Sequence, residues 1–167
     1  MSFTMKTSIA ILALMLFANE LGYAQTETDT KAIIQTLDSW NKGWAQNNAL
    51  LAIQDYAEDV DWTNAFGDRF KSRKELKKGL EYIFSLDFVM AGDSGENEYE
   101  DVTFLTPDVA LLRSKLVRRG QKTASGKIMP DRHNHHLRVL KRVNGQWKIV
   151  SHLISQSHKK SMIQNKK

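Results

Sequence analysis

The chain has 167 residues, no cysteine and a formal net charge of +5 at pH 7. The absence of cysteine excludes disulfide bonds, thiolate metal sites and a cysteine nucleophile, so a hydrophobic core must supply the stability. The positive charge does not by itself indicate an acidic partner, because four lysines lie in a polar segment, residues 157–167, that we expect to be a flexible basic tail. Without Lys159, Lys160, Lys166 and Lys167 the rest of the chain is nearly neutral.

The first 24 residues have the pattern of a secretory signal peptide. Lys6 provides the positive flank, Ile9 to Phe17 are apolar, and Gly22-Tyr23-Ala24 offers a cleavage site after Ala24. The apolar run is about nine residues long, whereas a membrane span needs about 20. We therefore expect a periplasmic or secreted protein that begins at Gln25 and has no membrane attachment after cleavage. An uncleaved anchor is the alternative.

Three helices are predicted next. The first runs from Thr28 to Asn47, because apolar residues recur there at three- and four-residue spacing. A shorter second helix follows, and after a strand at Val60–Asn64, Ser72 and Glu75 form a capping box that begins a third helix ending near Phe84. The apolar residues of the first two helices are Ile33, Ile34, Leu37, Trp40 and Trp44, then Leu50, Leu51, Ile53 and Tyr56.

From Phe88 onward, alternating apolar and polar residues predict an antiparallel meander. The expected strands are Phe88–Met90, Glu96–Leu105, Val109–Arg119, Arg132–Val143 and Gln146–Gln156. Helices followed by such strands indicate one α+β domain, residues 25–156, with three helices packed on a strongly curved antiparallel sheet. Of the basic residues Arg113, Lys115, Arg118 and Arg119, Lys115 is expected to pair with Glu100 and Arg119 with Glu96 of the preceding strand, so we predict no nucleic-acid partner.

The last two strands are predicted to form a hairpin around Asn144-Gly145, the strongest short signal for a two-residue type I′ turn. That turn pairs Val143 with Gln146, and an unbroken register then places His152 opposite Leu137. Since side chains alternate along a strand, seven residues are expected to share one face that resembles a pocket wall. They are His133, His135, Leu137, Val139, Val150, His152 and Ile154. His136 points to the opposite face in this interpretation and is given no role.

Several segments resemble the nuclear-transport-factor-2-like superfamily, in particular its SnoaL-like and ketosteroid-isomerase-like branch. They are Trp40 to Asn47, the run from Tyr56 to Gly67, the capped third helix, and the run from Asn144 to His152. The resemblance covers the whole predicted domain and implies a cone-shaped fold whose mouth holds a small molecule. It also implies a homodimer formed through the outer sheet face, here the face with Arg138, Leu140, Trp147, Ile149 and Leu153.

The resemblance does not extend to the catalytic residues of ketosteroid isomerases. Their general-base aspartate falls on Asn64, which cannot take a proton. Their oxyanion-hole tyrosine falls at or beside Trp40, and their protonated aspartate falls on His135. All three positions differ, so we predict that the chain does not isomerise steroids by that mechanism.

The sequence therefore predicts an exported domain that binds a small, partly apolar molecule in a pocket lined by histidine and tryptophan. The expected pocket residues are Trp40, Trp44, Tyr56, Trp62, Asn64, His133, Leu137, Val150 and Ile154. Three alternatives stay open: isomerase, cyclase or dehydratase chemistry with His135 or His152 as general acid or base, a metal site of His133, His135 and His152, and a non-catalytic dimeric interaction domain. No glycine-rich phosphate loop, nucleophile elbow or dinucleotide motif is present, so no cofactor is predicted.

Overall fold

The computed structural model describes residues 26–93, 95 and 97–157. The predicted signal segment and residues 158–167 of the predicted tail lie outside the described residues. The chain divides into two compact units, residues 1–32 and 33–167. Residues 26–32 of the first unit are helical, and the sheet, its core and the cavity belong to the second. Within the described ranges, no helix is long and apolar enough to cross a membrane.

Four helices are described: α1 (26–45), α2 (Ala49–Ala52), α3 (Arg73–Phe84) and α4 (Asp87–Met90). The Asn48 side chain caps α2 by accepting from the Leu51 N–H, and Ser72 caps α3 by accepting from the Glu75 N–H. The predicted cap by Ser72 is confirmed, but the Glu75 carboxylate accepts from the Lys71 N–H and not from the Ser72 N–H. The strand predicted at Phe88–Met90 is wrong, because the N–H groups of Val89 and Met90 both bond to the Leu86 carbonyl and close a helical turn.

Six strands form one sheet in the order β2-β1-β6-β5-β4-β3. Their bounds are β1 Tyr56–Thr63, β2 Arg69–Phe70, β3 Asn97–Thr106, β4 Val109–Arg118, β5 Arg132–Val143 and β6 Gln146–Gln156. The α+β class is confirmed, but the sheet is mixed, since β1 runs parallel to β6. Tyr56, predicted in the second helix, instead begins β1.

The predicted hairpin of β5 and β6 is correct near its turn and wrong beyond it. Val143 pairs with Gln146 and Leu140 with Ile149, as the turn requires. A β-bulge at Val150 then shifts the register by one residue, so that Val139 pairs with Ser151. A one-residue shift moves every later side chain of one strand to the other face relative to its partner.

The bulge places His152 opposite Arg138 and Ile154 opposite His136. These four residues share the buried inner face of the sheet with Asn134, Leu140, Trp147 and Ile149. His133, His135, Leu137 and Val139 are half-buried and lie on the other, outer face. The predicted seven-residue face is therefore wrong. So is the predicted dimer face, because four of its five residues are buried and only Leu153 is well exposed.

The core lies between the inner face of the sheet and the helices of the second unit. Nine of its aliphatic side chains are at most 2% exposed, and they recur at the spacing that places helix and strand residues on one face. The fully buried aliphatic members are Ile33, Leu37, Ile53, Val60, Leu76, Leu80, Leu112, Leu140 and Ile149.

Candidate functional site

A cavity of about 1110 Å³ opens against the inner face of the sheet. Residues of α1, β1, α3, β4, β5 and β6 line it, and the loop between β1 and β2 contributes to its edge. Much of the wall is aromatic, with Trp40, Trp44, Trp62, Phe66, Phe70 and Phe88 among the lining residues. Trp40 packs within 5.6 Å of Trp44 and 6.4 Å of Trp62 between ring centroids. The volume is that of a typical small-molecule pocket.

Five residues predicted for the pocket line this cavity: Trp40, Trp44, Trp62, Asn64 and Ile154. Tyr56 and His152 are fully buried behind the wall and do not line it. His133, Leu137 and Val150 are not lining residues either, because the first two lie on the outer face and Val150 is the bulge residue.

His135, one of the two predicted catalytic residues, lies outside the cavity. Its Nε2 is 2.7 Å from the Ser157 hydroxyl, and its Nδ1 is 3.5 Å from the Tyr99 hydroxyl. The expectation that His135 faces the ligand is therefore wrong. The cause is the register shift at Val150, which separates His135 from His152.

His152 belongs to a buried chain of polar side chains that also contains Tyr56, His136, Arg138 and Ser114. The Tyr56 hydroxyl is 2.7 Å from His152 Nδ1, and His152 Nε2 is 2.9 Å from His136 Nδ1. Arg138 lies 3.4 Å from His136 Nδ1 through Nη2 and donates from Nη1 to the Ser114 hydroxyl at 3.0 Å. We call these five residues the polar chain.

The 3.4 Å contact between Arg138 and His136 Nδ1 favours one arrangement of the protons, because arginine can only donate. In this arrangement His136 Nδ1 accepts from Arg138, and the ring carries its hydrogen on Nε2. His152 Nε2 then donates to the same atom, and its Nδ1 accepts from the Tyr56 hydroxyl. His136 lines the cavity, and its Nε2 has no hydrogen-bond partner among the described residues.

Both histidines are neutral at pH 7. Burial lowers the pKa of His152 and of His136 well below the ordinary value, and the nearby Arg138 lowers each further. Burial also raises the pKa of Tyr56, which keeps its hydroxyl protonated. Arg138 is 1% exposed, and its guanidinium lies 6.0 Å from the centre of the Trp40 ring.

Five of the cavity-lining residues each have one buried polar atom without a protein partner in the described part of the chain. The atoms are Trp44 Nε1, Trp62 Nε1, Arg118 Nε, Asn134 Oδ1 and His136 Nε2. Four are donors and one is an acceptor. An unsatisfied buried polar group costs about 1–3 kcal/mol. Because these atoms are covered by neighbouring protein atoms, a guest with acceptor oxygens gains these bonds where the wall side chains move to uncover the donors.

Asn64, the position of the isomerase base, has a structural task. Its Oδ1 accepts from the N–H groups of Phe66 and Asp68, and its amide donates to the Asp68 carboxylate at 2.8 Å. These bonds shape the turn between β1 and β2. The amide that we expected to face a ligand is therefore engaged with Asp68.

The three-histidine metal site fails on geometry, because His133 and His135 lie on the outer face and His152 on the inner face. Among the described residues, no cluster of His, Cys, Asp or Glu is placed to bind a metal ion. The sequence analysis missed His136 and Arg138. The apolar pair Leu140 and Ile149 beside the turn was the signal that could have identified them. Residues at every second position from Leu140 along β5 share its buried face, and these include Arg138 and His136.

Comparison with solved structures identifies the fold. A nuclear-transport-factor-2-like protein with a cystatin-like fold from Novosphingobium aromaticivorans matches with a TM-score of 0.69 and 15% identity, over 83% of this chain and 88% of that one. An uncharacterised protein with a cystatin-like fold from Caulobacter vibrioides matches with a TM-score of 0.67 and 18% identity, over 81% and 94%.

A ketosteroid isomerase-like protein from Erwinia carotovora atroseptica matches with a TM-score of 0.64 and 14% identity, over 77% of this chain and 96% of that one. No protein-family model matches the sequence, and no curated protein matches it. At these identities the likeness shows the fold. The resemblance to the nuclear-transport-factor-2-like superfamily is confirmed at that level.

Proposed function

We propose that this domain of nuclear-transport-factor-2-like fold binds a small, partly apolar molecule in its cavity. The observation that carries the proposal is an aromatic-walled cavity of about 1110 Å³ whose wall also holds buried polar atoms without protein partners. Aromatic walls supply apolar contact area, and a few polar groups orient the ligand. A fold alone does not specify a function, so the proposal depends on this wall.

Filling the cavity tests the proposal. Ile154 lines the cavity, whereas Ser155 is exposed on the outer face of the same strand. We expect Ile154→Trp to weaken binding of neutral aromatic and alicyclic ketones at least tenfold, and Ser155→Trp to leave it unchanged. Tryptophan fluorescence of the purified protein measures the affinities. Equal binding to both variants, or no binding of any such compound to the wild type, contradicts the proposal.

A second candidate function is proton transfer to a bound carbonyl compound, as in an isomerase, cyclase or dehydratase. The position of His136 favours it, because this ring joins the buried polar chain to the cavity. In this candidate His136 donates a hydrogen bond from Nε2 to the carbonyl oxygen. Solvent takes the proton from the adjacent carbon, because neither nitrogen of this neutral ring is free to accept it. His152, the residue proposed from the sequence, then acts by holding the His136 ring and its tautomer.

Hydrogen exchange tests this candidate without a known product. Small ketones incubated with the wild type in deuterated water should gain deuterium next to the carbonyl faster than in buffer alone. We expect His136→Gln to lower the rate at least 100-fold and Asn134→Gln, on the same wall, to lower it far less. If no ketone gains deuterium faster with the protein than in buffer alone, this candidate fails and the binding proposal stands.

We also propose that the protein is exported and forms a homodimer. The signal-like pattern of residues 1–24 supports export, and mass spectrometry of the protein from its native host checks whether the chain begins at Gln25. The proposed dimer surface is the outer sheet face, where four partly exposed aliphatic residues lie on three adjacent strands. They are Leu111, Leu137, Val139 and Leu153.

A further inference from the structure

Two arginines lie directly opposite each other at one end of the cavity. Arg118 on β4 and Arg132 on β5 are register partners, and both line the cavity. Like charges directly opposite in a ladder destabilise the pairing. In the described part of the chain, neither arginine forms an ion pair with a carboxylate, although Lys115 on the same strand pairs with Glu98. The expected pairing of Lys115 with Glu100 is wrong, because Lys115 lies opposite Tyr99 and pairs with Glu98.

The protein holds both side chains in place without an ion pair from any residue that the structure describes, although the Asp93 carboxylate partly opposes the lowering of the Arg118 pKa by burial. Arg118 is 7% exposed, donates from Nη2 to the Val89 carbonyl at 3.3 Å, and has no partner at Nε. Arg132 donates to Gln156 at 2.8 Å and to the side-chain oxygen of Gln121 at 3.2 Å. Gln121 is itself fixed, because its amide donates to the Val89 carbonyl. Among the described residues, the hydrogen bonds of the two guanidinium groups go to neutral oxygens.

Each guanidinium also lies against an aromatic ring of the cavity wall. Arg118 is 5.3 Å from the centre of Trp44, and Arg132 is 4.9 Å from the centre of Phe66. The indole N–H of Trp44 has no partner among the described residues and adds a third donor beside Arg118. Stacking leaves the guanidinium edges, where the N–H groups lie, available to an acceptor.

Carboxylates do line the cavity, but they are engaged elsewhere. Asp68 accepts from the Asn64 amide at 2.8 Å, and Glu100 accepts from the Asn97 amide at 2.9 Å. The arginine end therefore combines two cations held in fixed positions, and an aromatic cavity extends from it. A planar carboxylate matches the fork of a guanidinium.

We propose that Arg118 and Arg132 form a carboxylate-binding subsite, and that the ligand is a small organic acid whose apolar body lies against the tryptophans. This inference rests on the proposed function, since it names the class of molecule that the cavity binds. The carboxylate accepts from Arg118 and Arg132 and offsets their mutual repulsion. The neutral hydrogen-bond partners hold both guanidinium groups in position. Because these partners carry no negative charge, they do not compete with the carboxylate of the bound acid for the two cations.

Matched pairs of an acid and its neutral amide test the inference. The probes are benzoate with benzamide and 2-naphthoate with 2-naphthamide, titrated into the purified protein and followed by tryptophan fluorescence and calorimetry. We expect the acid to bind at least tenfold more tightly than its amide, and Arg118→Gln or Arg132→Gln to remove most of that preference. Arg113→Gln, an exposed change on β4 with the same loss of charge, should preserve the preference.

The outcomes separate the two proposals. If the amides bind as well as the acids, the carboxylate subsite is overturned and the binding function stands. If no member of either pair binds, both fail. Tighter binding of 2-naphthyl phosphate than of 2-naphthoate overturns the assignment to a carboxylate. Should Arg118→Gln fail to fold, Arg132→Gln at the more exposed position decides, with Arg118→Lys as the conservative variant.

Discussion

His136 and His152 share one buried polar chain with a single cation, and their neutrality is a condition of the fold. Arg138 has no carboxylate within ion-pair distance among the described residues and contacts only neutral groups there. A proton on either imidazole would add a second buried positive charge beside Arg138, which is costly. The polar chain can therefore be tested through the pH dependence of stability.

Stability should fall as the pH drops below about 6.5, the ordinary histidine pKa. The native pKa of both histidines is lower, so the unfolded chain takes up protons that the native protein does not. The free energy of unfolding then decreases with falling pH by up to about 1.4 kcal/mol per pH unit for each histidine. Above about pH 7.5 both histidines are neutral in the native and the unfolded protein, so they no longer make the stability depend on pH.

The variant His136→Gln should make that slope shallower by up to about 1.4 kcal/mol per pH unit between pH 6.5 and 5.5. Urea unfolding at several pH values measures it. Asn134→Gln alters the same wall without removing a titratable group and should retain the wild-type slope. An unchanged slope in His136→Gln would mean that this imidazole is protonated in the native state.

At the scale of elements, the bulge at Val150 decides which histidines meet. The Asn144-Gly145 turn predicts the register correctly as far as Leu140 and Ile149, because turn geometry is local. Nothing in the run Ile149-Val150-Ser151 marks an extra residue. The bulge coincides with the pairing of β1 and β6, a long-range contact that brings Trp62 beside His152. Tertiary packing therefore determines which residues of β5 and β6 meet at the site, whereas the local sequence determines the turn and the register next to it.

Gly43 lies where α1 and α2 approach each other closely. A Cβ atom at Gly43 would lie 2.3 Å from the Ala52 backbone nitrogen and 2.5 Å from its Cα, so α1 and α2 approach too closely for any side chain there. Replacing glycine by alanine inside a helix normally stabilises by about 1 kcal/mol. Here we expect Gly43→Ala to destabilise by about 1–3 kcal/mol, the usual cost of overpacking.

Gly79 in α3 provides the matched control for Gly43→Ala. Its Cβ would meet only the ring of Phe70, a side chain that can move toward the cavity it lines. Gly79→Ala should therefore cost less than Gly43→Ala in thermal unfolding measurements. A gain in stability from Gly43→Ala would show that α1 and α2 can separate without loss.

At the scale of the whole molecule, the sheet has two faces with different tasks. The inner face carries the core, the polar chain and the cavity wall. On the outer face, Leu111 pairs with Val139 and Leu137 with Leu153, which forms a continuous aliphatic surface across β4, β5 and β6. A two-fold interface buries the same surface of both subunits, and this surface is the one that our dimer proposal requires.

The dimer proposal predicts that Leu153→Lys disrupts assembly. Leu153 is 48% exposed on the outer face, whereas Leu105 on β3 is 57% exposed outside this aliphatic surface. Sedimentation velocity should give a dimer for the wild type and Leu105→Lys, and a monomer for Leu153→Lys with an intact fold by circular dichroism. In a two-fold interface each substitution occurs twice, so one lysine per chain places two desolvated charges in a single apolar contact. A wild-type monomer, or a dimer unaffected by Leu153→Lys, rules out this surface.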